Sequence, residues 1–454
     1  MRIKKLLFSA FILALAPVNA QYGVLDQTFN PGAGADASIQ VVAVQGDGKI
    51  LIGGDFQTFD GVNKKRFARL NSDGSLDSEF QIGTGANNSV MSILVQPDQK
   101  IIVGGMFSVF NNTAQKRIMR LNSDGTIDST WNPGFGANND VLCSYLLPDG
   151  KILIGGTFTS YNWIARNGIA RLNEDGSLDE SFNPTAPITM VNEITFLSDG
   201  KMLVNAGTKL IKLASDGTTD ETFQTGTGTD YPIQAVHEQP SGKIIIGGYF
   251  NVYNDQPQNR FLRLNADGSV DDTFITTGAN YGVLTITEQE DGHLLISGLF
   301  STYNNAPAQK VARITPDGLL DLTFNPGNGP DSIVLHHVVQ PNGSVVLVGD
   351  FLSYNGVERG RIARISGHLP LSTNQFVANQ NITVFPNPAS QNLNVSLPEN
   401  MVASSFAILT LTGKSIANFD SSSTSFTVDS LPNGFYILQT NTDDHSYFTK
   451  FVKN

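Results

Sequence analysis

A ten-residue segment recurs along most of this 454-residue chain, and its repetition constrains the fold more than any other feature. The segment 47–56, DGKILIGGDF, is nearly copied at 149–158 as DGKILIGGTF. Counterparts end at Phe107, Phe250, Phe300 and Phe351, and a degenerate copy runs from Asp199 to Thr208. The seven segments lie 42 to 51 residues apart. This spacing predicts seven copies of one small supersecondary unit.

A second element, RLNSDGSLD at 69–77 followed by Phe80, completes each of the first six units. Together the two elements predict four strands per unit, which we name a to d. In the first unit they are a at 39–44, b at 49–56, c at 66–71 and d at 76–80. Strand b is almost wholly apolar, as expected of a strand covered on both faces. Its Gly-Gly pair indicates close approach of a neighbouring backbone.

The turn between strands c and d fixes a register. With Gly74 in a left-handed position, Leu70 faces Leu76 and Arg69 faces Asp77. We expect these charge pairs to be exposed and worth about 0.2–1 kcal/mol each. The same offset recurs in Arg120–Asp128, Arg171–Asp179, Lys212–Asp220, Arg263–Asp271 and Arg313–Asp321.

The two ends of the repeat region favour a closed ring over an open solenoid. The last unit stops near Gly367 without a strand d, whereas residues 24–30, VLDQTFN, form a strand d without a strand c. Closing the ring joins these pieces and removes both sheet edges. The prediction is an all-β, seven-bladed β-propeller closed by the N-terminal strand, with Arg364 paired to Asp26.

The repeat pattern resembles the delta-60 repeat family of secreted bacterial proteins over roughly residues 24–367. The segments FNPG at 29–32 and at 324–327 carry the resemblance well. The fourth unit departs from the pattern, since it lacks the b–c loop and has Asn205-Ala206-Gly207 instead of Ile-Gly-Gly. The resemblance implies no particular biochemical activity.

Residues 368–380 are polar and irregular, which is typical of a linker. Residues 381–454 alternate short strands with turns and predict a small Ig-like β-sandwich. Their motifs FPNPAS, LTGK and LPNGFYIL resemble the C-terminal sorting domain of type IX secretion substrates. This resemblance implies the type IX secretion machinery as a partner. An ordinary Ig-like accessory domain is the alternative.

The first twenty residues predict a secretory signal peptide: a basic start, an apolar run at 6–16 and small residues before Gln21. The domain prediction is therefore signal peptide 1–20, propeller 21–367, linker 368–380 and sorting domain 381–454. We expect no transmembrane span and a secreted or outer-surface location on a Gram-negative bacterium, reached via the periplasm. The net charge of −12 argues against nucleic acid as a partner.

No catalytic motif is present, and none of the six histidines has metal-ligand spacing with another. We therefore predict no cofactor. The Asn-x-Asp-Gly-x-x-Asp loop offers Asp73 and Asp77 as calcium candidates, although a plain hairpin turn explains the same residues.

The b–c loops repeat an aromatic residue followed by Asn or Asp. Such pairs would suit a glycan or protein ligand if they lined one face, whereas their recurrence in six units is also what internal packing demands. The proposed ligand residues are Tyr161, Asn162, Tyr253, Asn254, Tyr303, Asn304, Tyr354 and Asn355.

The sequence favours a secreted interaction module. A secreted propeller enzyme, either a glycoside hydrolase or a lyase, is the alternative. Unit four, Trp131, Trp163 and Cys143 break the repeat symmetry, so a unique site is expected near them.

Overall fold

The computed structural model describes residues 22–186, 188–224, 226–367, 382–398, 401–409, 415–432, 434–442 and 446–454. The predicted signal peptide and linker lie outside these residues. The chain divides into two compact units after Leu369. The described residues form strands and turns without a helix, so none of them belongs to a helix that could cross a bilayer.

Residues 22–367 contain seven three-stranded antiparallel sheets in their described part, each ordered a-b-c. The a strands are Ile39–Val44, Val90–Val95, Val141–Leu146, Glu193–Phe196, Ile233–Glu238, Val283–Glu288 and Val334–Val339. The b strands are Ile50–Gly54, Ile101–Gly105, Ile152–Gly156, Met202–Asn205, Ile244–Gly248, Leu294–Gly298 and Val345–Gly349. The c strands are Phe67–Leu70, Ile118–Leu121, Ile169–Leu172, Leu210–Leu213, Phe261–Leu264, Val311–Ile314 and Ile362–Ile365.

Six sheets carry a short two-stranded hairpin between strands b and c, and the fourth sheet instead turns directly at 206–209. The hairpins pair Thr58–Phe59 with Val62–Asn63, Val109–Phe110 with Thr113–Ala114, Ser160–Tyr161 with Ile164–Ala165, Val252–Tyr253 with Gln256–Pro257, Thr302–Tyr303 with Ala306–Pro307, and Ser353–Tyr354 with Val357–Glu358.

The b strand is the buried centre of each sheet, as its composition predicts. Every residue of Ile50–Gly54 is buried, with strand a on one side and strand c on the other. Gly53 lies so close to the next repeat that a Cβ there would come within 2.5 Å of Val90 Cγ1. The glycine is therefore required by the packing of adjacent sheets.

The seven a strands contact one another in a cycle, because the first contacts both the second and the seventh. Residues from all seven line one cavity of about 540 Å³. Hydrophobic clusters between neighbouring repeats form the core, and one of them joins Ile52 of the first repeat to Val348 of the last and to Phe29 of the N-terminal segment.

Strand d differs from the prediction, because only a single bridge forms on that side of each sheet. Leu70 pairs with Leu76, which confirms the register, but the chain then turns away. The turn arises because the Asp77 carboxylate accepts the N–H of Glu79 and the Asp77 carbonyl accepts that of Phe80.

The charge pairs confirm the eight-residue offset but are buried, so the expectation of exposed pairs is wrong. Arg69 Nε lies 2.8 Å from Asp77 Oδ2, and both side chains are less than 10% exposed. A second cation, Lys49 from the start of strand b, lies 2.9 Å from the same oxygen. Equivalent lysines meet Asp128, Asp179, Asp220 and Asp271.

The arginines also connect successive repeats. Arg120 Nη1 donates to the carbonyl of Glu174 and Arg263 Nη1 to that of Pro316, at 2.9 and 2.8 Å, and each acceptor lies in the c–d turn of the next repeat. Arg69, Arg171 and Arg364 make the same type of bond to Ser123, Ser215 and Ser72.

The fourth repeat departs from the predicted pairing. Lys212 Nζ lies 2.9 Å from Asp199, and Asp220 instead binds Lys201 at 2.7 Å. A lysine ammonium lacks the planar fork with which arginine reaches the aspartate and the next turn together.

The N-terminal segment occupies the vacant position beside the last c strand. Leu25 bridges Ile365, and Arg364 Nε lies 2.7 Å from Asp26 Oδ2. The backbone carbonyl of Tyr22 also accepts a hydrogen bond from the N–H of Asn325 in the preceding repeat. The N-terminal segment thereby completes the last repeat with the same c–d contacts that most other repeats make within themselves.

The C-terminal unit holds two antiparallel sheets in its described part. One contains Thr383–Phe385, Asn392–Ser396 and Ser425–Thr427. The other contains Ser405–Leu409, Ser415–Asp420, Gly434–Asn441 and Ser446–Lys453. Their buried residues, including Leu393, Phe406, Phe426 and Phe451, form one cluster.

Replacing Asp128 by alanine should lower the free energy of unfolding of the mature protein by about 3–5 kcal/mol, because the largely buried Arg120 would keep its charge without a carboxylate partner. Thermal and denaturant unfolding would measure the change. The matched control is Asp124→Ala in the same turn, where the exposed carboxylate forms no close ion pair with a described residue and accepts hydrogen bonds from Thr126, so the loss should be about 0.5–1.5 kcal/mol. Equal effects of the two changes would contradict the assigned role of the buried ion pairs.

Candidate functional site

The aromatic residues predicted as ligand contacts lie inside the repeats. Tyr161, Tyr253, Tyr303 and Tyr354 are at most 2% exposed. Each of the four hydroxyls donates to a backbone carbonyl at 2.9 Å, in Gly176, Gly268, Gly318 and Gly23 respectively. Their ring faces are therefore not offered to a ligand in solution.

The asparagines that follow these tyrosines form tight turns. Each is the first residue of a two-residue hairpin turn with positive φ at both positions, such as Asn162 at 50° and Trp163 at 68°. Asparagine tolerates this left-handed conformation, which explains its recurrence. The others with the same role are Asp60, Asn111, Asn254, Asn304 and Asn355.

The turn side chains also hold the loop that enters each repeat. Asn162 Oδ1 accepts the N–H of Phe135, and Asn304 Oδ1 accepts that of Thr277. Asn254 and Asn355 bind Gly228 and Gly329 in the same way. The geometry supports the packing interpretation of the eight predicted ligand residues, since rings and amides both serve the fold.

Replacing Tyr161 by phenylalanine should cost only about 1 kcal/mol of stability, because Phe59 and Phe110 fill the same position in the first two repeats and only one hydrogen bond is lost. Tyr161→Ala should cost about 3–5 kcal/mol, because it also leaves a cavity. Thermal unfolding would measure both. A stable Tyr161→Ala protein would contradict the packing role.

Both calcium candidates already use carboxylate oxygens in contacts with protein groups. Asp73 Oδ1 accepts the N–H and the hydroxyl of Ser75. Asp77 lies between Arg69 and Lys49, which would repel a bound cation. No cluster of three or more potential metal ligands occurs among the described residues. The geometry favours the plain hairpin turn.

The cavity lined by the a strands contains a carboxyl group whose pKa is strongly raised. Burial raises the pKa of Glu193 to about 8, opposed by the N–H of Val236, which donates to its carboxyl group. Glu193 also raises the pKa of the neighbouring Cys143 thiol, which burial has already increased strongly. On the same wall, burial lowers the pKa of His336 to about 4.

Glu193 should make the protein less stable as the pH rises from about 4.5 to 8. In that range the unfolded chain loses the proton while the folded chain retains it, so stability falls by up to about 1.4 kcal/mol per pH unit. Glu193→Gln, which still accepts the Val236 N–H, should remove this dependence. Melting temperatures at pH 5 and pH 8 would test it, and an identical pH slope in both proteins would refute the assignment.

A different site breaks the repeat symmetry on the surface. Trp163 occupies the second position of a hairpin turn and is 73% exposed. The equivalent residues in the other five hairpins are small or polar: Gly61, Asn112, Asp255, Asn305 and Gly356. A bulky residue with positive φ carries about 1–2 kcal/mol of strain.

A second aromatic residue stands beside it. Phe135 is 54% exposed and lies in a Gly-x-Gly loop whose middle residue is Ala33, Thr84, Thr227 or Asn328 in other repeats. Its ring centroid lies 5.3 Å from that of Trp163, with an interplanar angle of 56°. Lys116 Nζ lies 5.0 and 5.8 Å from the two ring centroids.

We name Phe135, Trp163 and Lys116 the aromatic shelf. Together with Arg117, Ser108, Asn138 and Ser160 they line a cavity of about 310 Å³ between the second and third repeats. The ring contact is worth about 0.5–1.5 kcal/mol and the exposed cation–π contact about 0.5–1. Because these gains do little more than offset the turn strain, stability does not account for two exposed aromatic rings here.

Sequence reasoning singled out Trp163 as a break in symmetry but missed Phe135 and Lys116. Aligning the Gly-x-Gly loops of the repeats would have found Phe135, because it is the only aromatic residue at that position in the sequence. The adjacency of Phe135 and Trp163 follows from a contact between two repeats, which the sequence of one repeat does not reveal.

Family models match both parts of the chain. The model described as a domain of unknown function (DUF5122) beta-propeller matches residues 45–80, 96–130, 147–182, 239–274, 289–324 and 340–366. The model described as a secretion system C-terminal sorting domain matches residues 383–454. No curated protein matches the sequence.

Solved structures show distant likeness. The chain is 13% identical to PorZ, a bacterial surface component of the type IX secretion system of Porphyromonas gingivalis, with a TM-score of 0.48. The match covers 93% of this chain but only 60% of that protein. A streptogramin B lyase shares 14% identity, with 75% and 95% of the chains covered and a TM-score of 0.44. The Neurospora crassa Pan2 WD40 domain shares 11%, with 73% and 89% covered and a TM-score of 0.45.

Proposed function

Because this chain is a DUF5122 β-propeller repeat protein with a type IX C-terminal sorting domain, we propose that it is a secreted carbohydrate-binding module that uses the aromatic shelf. The sorting domain implies interaction with the secretion machinery and export to the cell surface or the extracellular space. In this proposal residues 21–367 form a seven-bladed propeller and residues 381–454 an Ig-like sandwich, preceded by a signal peptide at 1–20 and a linker at 368–380.

The exposed pair of aromatic rings is the observation that carries the proposal. Aromatic faces suit the apolar faces of sugar rings, and the hydroxyl and amide groups of Ser108, Asn138 and Ser160 suit sugar hydroxyls. The cavity of about 310 Å³ fits a ligand of one or two sugar rings at the small end of binding pockets. A stable protein partner would need an interface of about 800 Å² per side, far more than two rings supply.

The enzyme alternative has weaker support. Hydrolysis of a glycoside by paired carboxyl groups requires two acids in one cleft. Glu193 has the raised pKa of a proton donor, but Glu238, another acid of the same cavity wall, accepts hydrogen bonds from Ser198. Carbohydrate binding is therefore the function that the geometry supports best.

Restoring the repeat consensus at the shelf should abolish binding without harming the fold. The double variant Phe135→Thr and Trp163→Asn introduces the residues found at Thr84 and Asn112. The melting temperature should change little, because relief of the strain at position 163 offsets the lost ring contacts. A glycan array with mature protein, followed by calorimetric titration of each hit, would measure binding. We expect at least a tenfold loss of affinity for every hit.

The matched control is Tyr231→Thr, which removes an aromatic residue that is 56% exposed and lies outside the shelf. This variant should bind like the original protein. If no glycan binds, or if the double variant binds as well as the original protein, the proposed function is wrong.

A further inference from the structure

The charges around the aromatic shelf indicate which carbohydrates it prefers. Lys116 forms no ion pair within the described part of the chain, and its ammonium group rests over the two rings. The other cation of the lining, Arg117, lies 3.3 Å from Asp140 Oδ1 and donates to the carbonyl of Met106. The positive charge of Lys116 is thus available to a ligand.

The geometry points to an acidic sugar, a uronic acid residue of an oligosaccharide, as the ligand of the aromatic shelf, with Lys116 as the residue that determines this specificity. The inference rests on the proposed carbohydrate-binding function. A hydrogen bond between an ammonium group and a carboxylate is stronger than an exposed contact between an ammonium group and a ring. A uronate carboxylate would therefore draw Lys116 away from the rings and free their faces for stacking.

A neutral sugar lacks this advantage. It must compete with the ammonium group for the ring faces and gives the displaced lysine no partner of opposite charge. Lys116 therefore strengthens the binding of uronates and weakens the binding of neutral sugars. One residue thus contributes to the difference in affinity in both ways.

The overall charge limits the ligand further. The chain carries a net charge of −12, so a densely charged polyanion would be repelled by the rest of the surface. A single carboxylate in contact with Lys116 is attracted by the lysine. The negative charges elsewhere on the protein surface repel it little, because they are screened beyond about 8 Å at physiological salt. The preferred ligand is therefore an oligosaccharide with an isolated uronate, such as one at its end.

The protein contains its own control for this site. One repeat earlier, Lys65 holds the position of Lys116, but Thr84 and Asn112 stand where the shelf has Phe135 and Trp163. The main-chain geometry matches, because the loop glycines Gly85 and Gly136 lie against the carbonyls of Lys65 and Lys116 in the same way. The two positions differ chiefly in the aromatic pair.

The test uses mature full-length protein and glucose-, galactose- and mannose-based disaccharides, each as the neutral sugar and as its C6-oxidised uronate. Calorimetric titration should show uronates binding about tenfold tighter than their neutral counterparts. Lys116→Met, which keeps the apolar stem, should reduce this ratio to about one and leave the affinity for neutral sugars equal or higher. Lys65→Met should leave the ratio unchanged.

A gain of function provides a second test. Thr84→Phe combined with Asn112→Trp should build a second shelf beside Lys65 and raise the uronate stoichiometry from one to two. If the disaccharides bind at the shelf but Lys116→Met leaves the ratio unaffected, the role of Lys116 is refuted, and if the ratio is about one in the original protein, the preference for uronates is refuted; carbohydrate binding stands in both cases. If no disaccharide binds and the double variant at the shelf changes nothing, both proposals fail.

Discussion

The buried aspartate that ends each c–d turn is the constraint on which the repeat architecture depends. In most repeats it receives an arginine from strand c and a lysine from strand b, and the same arginine reaches the next turn. The aspartate therefore fixes strand register within a repeat, and its arginine fixes the distance to the following repeat. Because the arginine and the aspartate are almost fully buried, a slip of the strand register by one residue would leave charges unpaired in a low-dielectric interior. This accounts for the recurrence of Lys, Arg and Asp at fixed spacing along the sequence.

Much of this arrangement could be predicted from the sequence because it is local. The pairing of Leu70 with Leu76 and the apolar b strand follow from turn chemistry and hydrophobic pattern. Burial of the charge pairs could not be predicted, since it depends on the neighbouring repeat that covers Arg69 and Asp77. The length of strand d was overestimated, because the Asp77 side chain binds a backbone N–H group that a longer strand would need.

The recurring Tyr–Asn pairs had two interpretations in the sequence, a ligand surface and internal packing, and the geometry supports packing. Their recurrence reflects a turn that only a few residue types can adopt, and the rings fill the interior. The proposed site lies where one repeat differs from the others. Trp163 departs from the residue types that its positive φ favours, Phe135 replaces a small or polar residue of the other repeats, and both side chains remain exposed. The informative signal is therefore a residue that its own repeat disfavours.

The joining of the first and last repeats has a consequence for the order in which the protein folds. Most turn contacts link residues fewer than ten positions apart, whereas Arg364 and Asp26 are separated by 338 positions. Closing so long a loop costs roughly 3 kcal/mol more entropy than closing a turn of eight residues. Individual repeats can therefore form early from local contacts, and the N-terminal segment docks last. By the same reasoning it is the first part to detach under stress, so the kinetic lifetime of the folded ring depends on a segment of fewer than ten residues.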